Sequence, residues 1–337
     1  MSKKTGLSTI RDVARLAGVS ITTVSRALNQ SAPPIAEETL KRVHAAIAEL
    51  NFAPNPGARK LSSHRKNAIG LLLPRIGWDD YFPPLLRGVE AGAVENGFDL
   101  LIASRRFPDS GGQRALGPHN TDGVVIFPDS LTDEEITAWH GRGFPCVLLH
   151  RTPPDGLNIP HVQYENKAGA RMAMDHLIEV HHCQRVGFLR GPEGNEDSFW
   201  REAGYRSALE AHGLPVDPAL TAAGNFNESD GHAAVVSWLA NGVEMDAIFA
   251  GDDDSALGAL SALREAGRRV PEDVAVVGFD DLPTARFYNP PLTTVKASID
   301  DAGKRATQML AELITKGETE NMALLPTELV IRKSCGC

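Results

Sequence analysis

The sequence predicts a chain in two parts: a small all-α head with a helix-turn-helix, then a two-lobed α/β body built on parallel sheets. Three observations predict it. The charge is split, because the first 66 residues hold eleven basic and four acidic side chains, +7, and leave −16 on the rest of a chain whose total is −9. Two short helical patterns meet at a glycine inside the basic part. Beyond residue 68, short apolar runs alternate with amphipathic stretches, the pattern of strands and crossover helices.

In the head, Ile10, Val13, Ala14 and Ala17 fall at helical spacing, and Val24, Ala27 and Leu28 repeat the pattern. Gly18 suits a turn that needs positive φ, and Ser20 is placed to cap the second helix. Ala14 is small where the two helices cross, and Val13 and Val24 fill the crossing. Such a pair, in a basic region, is the form that enters a DNA major groove. A third helix is expected over 36–50, with Leu40, Val43, Ile47 and Leu50 on one face and Glu37 and Glu38 at its positive end. The segment 56–61 is a short helical possibility, marginal unless a partner orders it.

In the body, apolar runs at 69–73, 100–103, 123–127, 146–149, 186–189, 247–250 and 274–279 read as strands. Helices are expected over 85–96, 168–180, 201–212, 231–239, 256–266 and 299–315. About 270 residues of this regularity exceed one sheet, so two βα-wound lobes with a cleft between them are expected. Ligands of open α/β sheets bind at the carboxyl ends of the strands, which singles out several residues. Arg201 opens a helix in Arg-x-x-Gly-Tyr after the loop 191–200 and offers a fork of donors. Asp280 follows the 274–279 run and can accept two hydroxyl hydrogen bonds. Phe226 can stack on a ring. Arg201 lies on no apolar stripe, so its replacement is expected to leave the fold intact.

Several classes are excluded. No apolar run approaches the ~18 residues needed to span a bilayer. Thr9-Ile10-Arg11-Asp12 stands where a secretory apolar segment would follow Lys3 and Lys4, so a cytoplasmic protein is expected. Cys146, Cys183, Cys335 and Cys337 have neither disulfide-framework nor zinc-finger spacing, and Cys335-Gly336-Cys337 reads as a frayed segment without a role. Gly303-Lys304 ends like a phosphate loop, but Ser298 holds its first glycine position. Gly141-x-Gly143 meets Cys146 where a third glycine belongs. No cofactor, metal or catalytic residue is expected.

Val13-Ala14, Ala17-Gly18-Val19-Ser20, Thr23-Val24-Ser25-Arg26 and Asn29, followed by Asn55-Pro56, Ala58-Arg59 and Leu61, resemble the lactose/galactose-repressor (LacI/GalR) family of bacterial transcription regulators. The resemblance runs through nearly the whole chain. It implies a DNA-binding head at 1–54, a hinge helix and linker at 55–66, and a periplasmic-binding-protein-like body at 67–337. By the same resemblance the chain passes between lobes near 164–166, 292–296 and 325–327. The N-terminal lobe is then 68–164 with 295–325, and the C-terminal lobe 166–292 with 326–334. It implies that Ile21, Thr22 and Arg26 face base edges, and that Thr9, Ser20, Thr23, Ser25 and Asn29 address phosphates. Arg26 has the fork for guanine O6 and N7. The hinge, with Asn55, Ala58 and Leu61, folds on DNA in this family, where the residue matching Leu61 wedges a minor-groove base step apart. Effector contacts are implied at Tyr81, Phe82, His150, Arg201, Phe226, Asp252 and Asp280.

The chain departs from the family pattern at His150, where Asp is common, so that contact is either pH-sensitive or missing, and at Asp252, which replaces Asn. The stretch 105–121, with Gly111, Gly112, Gly117, Pro108 and Pro118, is short and lacks an amphipathic helix. At His181-His182-Cys183, tempting for a metal, the family has a helix-to-strand turn. Asp252-Asp253-Asp254 matches a cleft-lining segment. The expectation is therefore a homodimeric repressor that reads a near-palindromic double-stranded operator and answers to a sugar-like small molecule. The rival reading is an enzyme acting on a small metabolite and fused to a DNA-binding head, which no nucleophile–base or metal arrangement in the sequence supports.

Overall fold

A computed structural model describes residues 8–29, 35–52, 65–74, 80–104 and 116–337. It divides at Lys66 into a head and a body. In the head, α1 (Ile10–Ala17), α2 (Ile21–Asn29) and α3 (Glu37–Glu49) surround Val13, Val24 and Val43, all fully buried. Burying each such side chain contributes roughly 1.5–3 kcal/mol, the main stabilisation of so small a unit. Gly18 takes φ +65° after α1, and its N–H reaches the carbonyls of Ala14 and Arg15. A left-handed residue there lets α2 start three residues later. Ser20 caps α2, accepting from the Thr23 N–H at 3.0 Å. Thr9 caps α1 with Asp12, whose carboxylate accepts from the Thr9 N–H at 3.0 Å and the Thr9 hydroxyl at 2.6 Å.

The body begins with β1 (Ala68–Leu73), α4 (Phe82–Glu95), β2 (Asp99–Ser104), β3 (Gly123–Ile126), α5 (Asp133–His140), β4 (Cys146–Leu149) and β5 (His161–Tyr164). It continues with α6 (Asn166–Glu179), β6 (Val186–Arg190), α7 (Glu196–Ala211), β7 (Thr221–Ala223), α8 (Glu228–Ala240), β8 (Ala247–Ala250), α9 (Asp253–Glu265) and β9 (Ala275–Asp280). The last elements are β10 (Thr293–Ala297), α10 (Ile299–Lys316), β11 (Met322–Leu325) and β12 (Thr327–Val330). Two six-stranded sheets result, ordered β11-β5-β4-β3-β1-β2 and β12-β10-β9-β8-β6-β7. Every pairing is parallel except β12 with β10. Helices cover the sheets, so the inner strands β1, β3, β4 and β8 are buried at every residue.

The chain passes between the lobes at Glu165, Ser298 and Pro326. The second passage lies later than the expected 292–296. Thr293–Ala297 is a strand of the second sheet, paired with β9 from Thr293↔Val277 to Lys296↔Asp280. Its buried threonines are bonded within that lobe, Thr294 Oγ1 donating to Asp253 at 2.5 Å. Helices of the second lobe also start about a turn before their expected positions. Asn195, Asn227 and Asp252 are N-caps that accept from Ser198, Asp230 and Ser255 N–H. Arg201 consequently sits in the second turn of α7 and does not open it.

The segment after β12 is held, not frayed. Ser334 Oγ accepts from the Thr293 N–H at 2.8 Å and donates to the Val276 carbonyl at 2.6 Å, and Cys335 is buried beneath it. Of the stretch 105–121, residues 105–115 lie outside the described residues.

Candidate functional site

The carboxyl ends of both sheets open onto one cavity of about 320 Å³ between the lobes. Tyr81, Phe82, His150, Arg201, Phe226, Asp252 and Asp280 all line it. The backbone at these strand ends is unusual. His150 (φ +53°) follows β4, Phe226 (φ +55°) follows β7, and Asp280 (φ +106°) ends β9. Non-glycine residues in this region cluster at functional sites, where the surrounding structure must hold them.

Arg201 anchors the floor. Its Nε donates to Asn166 Oδ1 at 2.9 Å, one terminal nitrogen to the Gly251 carbonyl at 2.5 Å, and the other to Asp280 Oδ1 at 3.0 Å. The guanidinium also lies 3.8 Å from the centre of the Phe279 ring and 5.4 Å from that of Phe226, a cation–π arrangement. Arg201 and Asp280 are both almost wholly buried. Burial opposes the charge on Arg201, but Asp280 and Asp197 outweigh it and hold the arginine above its ordinary value. Burial raises Asp280 even beside the arginine.

Asp197 completes this network, accepting from Asn166 Nδ2 at 2.8 Å. Burial pushes its carboxyl up to about 6. Asp252 is raised further, to about 7, again by burial. One Asp252 oxygen is already occupied by the Ser255 N–H at 3.1 Å and the Ser255 hydroxyl, so Asp252 caps α9. Asp253, fully buried behind it, accepts from the Leu282 N–H at 2.7 Å and ties the β9 loop to α9.

The other wall is aromatic. Tyr81, Phe82 and Phe127 meet edge-on or tilted, and His150 stacks on Tyr164 at 4.9 Å between ring centres. Tyr81 Oη and His150 Nε2 are 2.9 Å apart. His150 Nδ1 has no hydrogen-bond partner and faces Asp197 of the opposite lobe at 3.8 Å. Burial above all, and then Arg201, lowers this histidine to about 3, so it is neutral across the physiological range. The pH-sensitivity expected at His150 therefore lies far below neutrality, and Asp197 and Asp252 titrate closer to it.

Sequence reasoning missed Asp197, Asn166, Phe127 and Phe279. Asp197 carried a usable signal, since it lies in the stretch 191–200 between a strand end and Arg201. Asn166 carried none, because its role depends on a helix that starts at the passage between lobes.

In the head, Ile21 and Thr22 are exposed on the first turn of α2, and Arg26 lies one turn further along the same face. Ser25 and Thr23 are half-buried beside them. The Ser20 and Thr23 hydroxyls are 2.8 Å apart and bonded to each other. Thr9 is exposed at the start of α1. The side chain of Asn29, and Asn55, Ala58 and Leu61 of the expected hinge, lie outside the described residues.

No helix among the described residues is long and apolar enough to cross a membrane. Residues 9–55 match the model of bacterial regulatory proteins of the lacI family, and residues 174–335 match that of the periplasmic binding protein-like domain. The chain is 33% identical to a probable HTH-type transcriptional repressor, ExuR, of Bacillus subtilis (strain 168), over 97% of this chain and 98% of the relative. Among solved structures, a complex of the transcriptional regulator CelR with cellobiose is 32% identical over 97% of this chain and 99% of that one, with a TM-score of 0.72. The lac repressor dimer bound to operator and the anti-inducer ONPF is 27% identical over 98% and 99% of the two chains, with a TM-score of 0.84. These relatives are regulators and repressors, not enzymes, and the match spans the head and the two-lobed body together. The chain belongs to the LacI family of bacterial transcriptional regulators.

Proposed function

We propose that this regulator is a cytoplasmic homodimeric repressor whose operator affinity is set by a neutral sugar or polyol bound between the lobes. The carrying observation is the cavity floor, where Arg201 spends a bond from each of its three nitrogens on Asn166, Gly251 and Asp280. Its charge is thereby absorbed by the protein. Among the described residues Arg201 is the one cationic lining side chain, against the carboxylates of Asp129, Asp197, Asp252, Asp254 and Asp280. Carboxylates accept hydroxyl hydrogen bonds and repel anions, which favours an uncharged polyhydroxy ligand over a sugar acid or a sugar phosphate. The aromatic wall of Tyr81, Phe82 and Phe127 offers ring faces and edges to the apolar side of a sugar. Cellobiose in the CelR complex is consistent with this class.

In the head, Ile21, Thr22 and Arg26 are assigned to base edges, and Thr9, Ser20, Thr23, Ser25 and Asn29 to phosphates. The dimeric, operator-bound lac repressor supports two heads reading two half-sites. Coupling between cavity and operator of the usual size, about 1–3 kcal/mol, changes operator affinity roughly 5- to 150-fold. The test is a thermal-shift panel of neutral sugars, polyols, sugar acids and sugar phosphates, because a ligand of the native state raises the melting temperature. Hits are then titrated against operator. A neutral sugar that raises the melting temperature and alters operator affinity is expected; stabilisation by anionic sugars alone overturns the ligand class.

A further inference from the structure

We propose that His176, His181, Cys335 and Cys337 form a structural zinc site that locks the last residues of the sequence onto the C-terminal lobe. Their ligand atoms all lie within 4.8 Å of one another, although the cysteines stand more than 150 residues from the histidines. His176 is in the last turn of α6, His181 in the turn that leads to β6, and the two cysteines flank Gly336.

The spacing of His176, His181 and Cys337 is that of neighbours in a tetrahedral site, with Cys335 Sγ within 4.8 Å of each. With Zn–N near 2.0 Å and Zn–S near 2.3 Å, tetrahedral angles put two nitrogens about 3.3 Å apart and a nitrogen and a sulfur about 3.5 Å apart. Here the two Nε2 atoms are 3.2 Å apart, and Cys337 Sγ lies 3.4 Å from that of His181 and 3.7 Å from that of His176. Two imidazoles meeting nitrogen to nitrogen, each also facing a thiol, form one hydrogen bond poorly but share a cation well.

The surroundings favour the same reading. Gly336 turns the chain with φ +106°, and a Cβ there would stand 3.4 Å from the His181 ring, so the glycine lets the Cys-Gly-Cys turn press against that histidine. The Thr293 hydroxyl accepts from the Arg332 N–H at 2.8 Å, which leaves its own proton for Cys335 Sγ at 3.1 Å. A hydrogen bond donated to sulfur holds a metal-bound thiolate in place. Binding of Zn²⁺ releases the two thiol protons, and the product, with two thiolates and two neutral imidazoles, carries no net charge. Four protein ligands leave no open position, so the site is structural and not catalytic. Asp175 and Glu179 of α6 and His212, just after α7, form the neighbouring group, but His212 already bonds Asp175 at 2.9 Å. That pairing accounts for them without a metal.

The experiment uses the full chain, free of any polyhistidine tag and kept reduced. Metal analysis after dialysis is expected to find about one zinc per chain, removed by a strong chelator with a fall in melting temperature that added zinc reverses. Cobalt substitution is expected to give the intense thiolate-to-metal charge-transfer absorption. Cys337→Ser and His181→Ala change exposed or half-exposed side chains, so they are expected to fold, lose the zinc and become indifferent to chelator. Cys146→Ala, in the other lobe, is expected to keep the zinc. Reduced wild type that holds no zinc and gains no stability from it overturns the proposal, as does a Cys337→Ser protein that retains zinc like wild type.

Discussion

Arg201 shows how far a residue's role can depart from its place in the sequence. It lies on no apolar stripe, which implies a replaceable side chain, yet it is buried and paired with Asp280. Removing one partner of a buried pair costs about 3–5 kcal/mol, because the other charge is left unpaired. Arg201→Ala is therefore expected to lower the melting temperature as well as to abolish the effector response, measured by thermal melts and by operator titration with ligand. The titrating carboxylates give a second expectation. Asp197 and Asp252 sit near 6 and 7, above an unfolded value of 3.8, so the folded chain binds protons first and gains stability as the pH falls from 7 toward 4. His150, lowered to about 3 from 6.5, works in the opposite sense and loses stability over the range from 6.5 to 3. A double Asp197→Asn, Asp252→Asn variant loses these two gains and keeps the loss at His150. Its melting temperature is expected to drop between pH 7 and pH 5 by more than that of wild type, and an equal drop would show that these carboxylates titrate normally.

Among the elements, legibility follows burial. The runs that became β1, β3, β4, β6, β8 and β9 are apolar because helices cover both faces, and a continuous apolar run is easily read. β5 and β10 are inner strands too, but His161, Gln163, Thr293 and Thr294 interrupt their apolar pattern. The side-chain partners of Gln163, Thr293 and Thr294, namely Glu196, Cys335 and Asp253, are supplied by distant parts of the chain. No local window shows those partners. α5 was missed although Thr132 and Glu135 form a capping box at its start, because only Ile136 of its eight residues is buried. The head was the most legible part, since Gly18, Ser20 and the valine plugs act within twelve residues of one another. On α2, Arg26→Ala is expected to cost about 1–3 kcal/mol on operator and less on random DNA. Parallel titrations of both DNAs decide it, and an equal loss on the two would make Arg26 a phosphate contact.

At the scale of the molecule, the two lobes are latched at both margins of the cavity. Glu196 of the C-terminal lobe accepts from the Thr152 N–H at 2.6 Å and from Gln163 at 2.7 Å, and Thr284 donates to Asp80 at 2.7 Å. None of these latches touches the cavity floor, so they report on closure and not on ligand chemistry. Glu196→Ala is expected to widen the body in small-angle scattering and to weaken effector binding, with added effector restoring the narrower form. Unchanged scattering would show that the latch does not hold the lobes. The passages at Glu165, Ser298 and Pro326 have a consequence for how the protein comes into being. Each sheet receives one of its two edge strands, β11 or β12, from residues 322–330. A nascent chain that has not yet added residues 322–330 therefore carries two unfinished sheets with the flanks of β5 and β10 unpaired, and such flanks invite pairing with other chains. Residues 322–330, and not the completion of either half before them, close both sheets of this regulator. A chain stopped after Gly317 is expected to be recovered in the insoluble fraction, and a soluble monomer of that length would show that the two strands are dispensable.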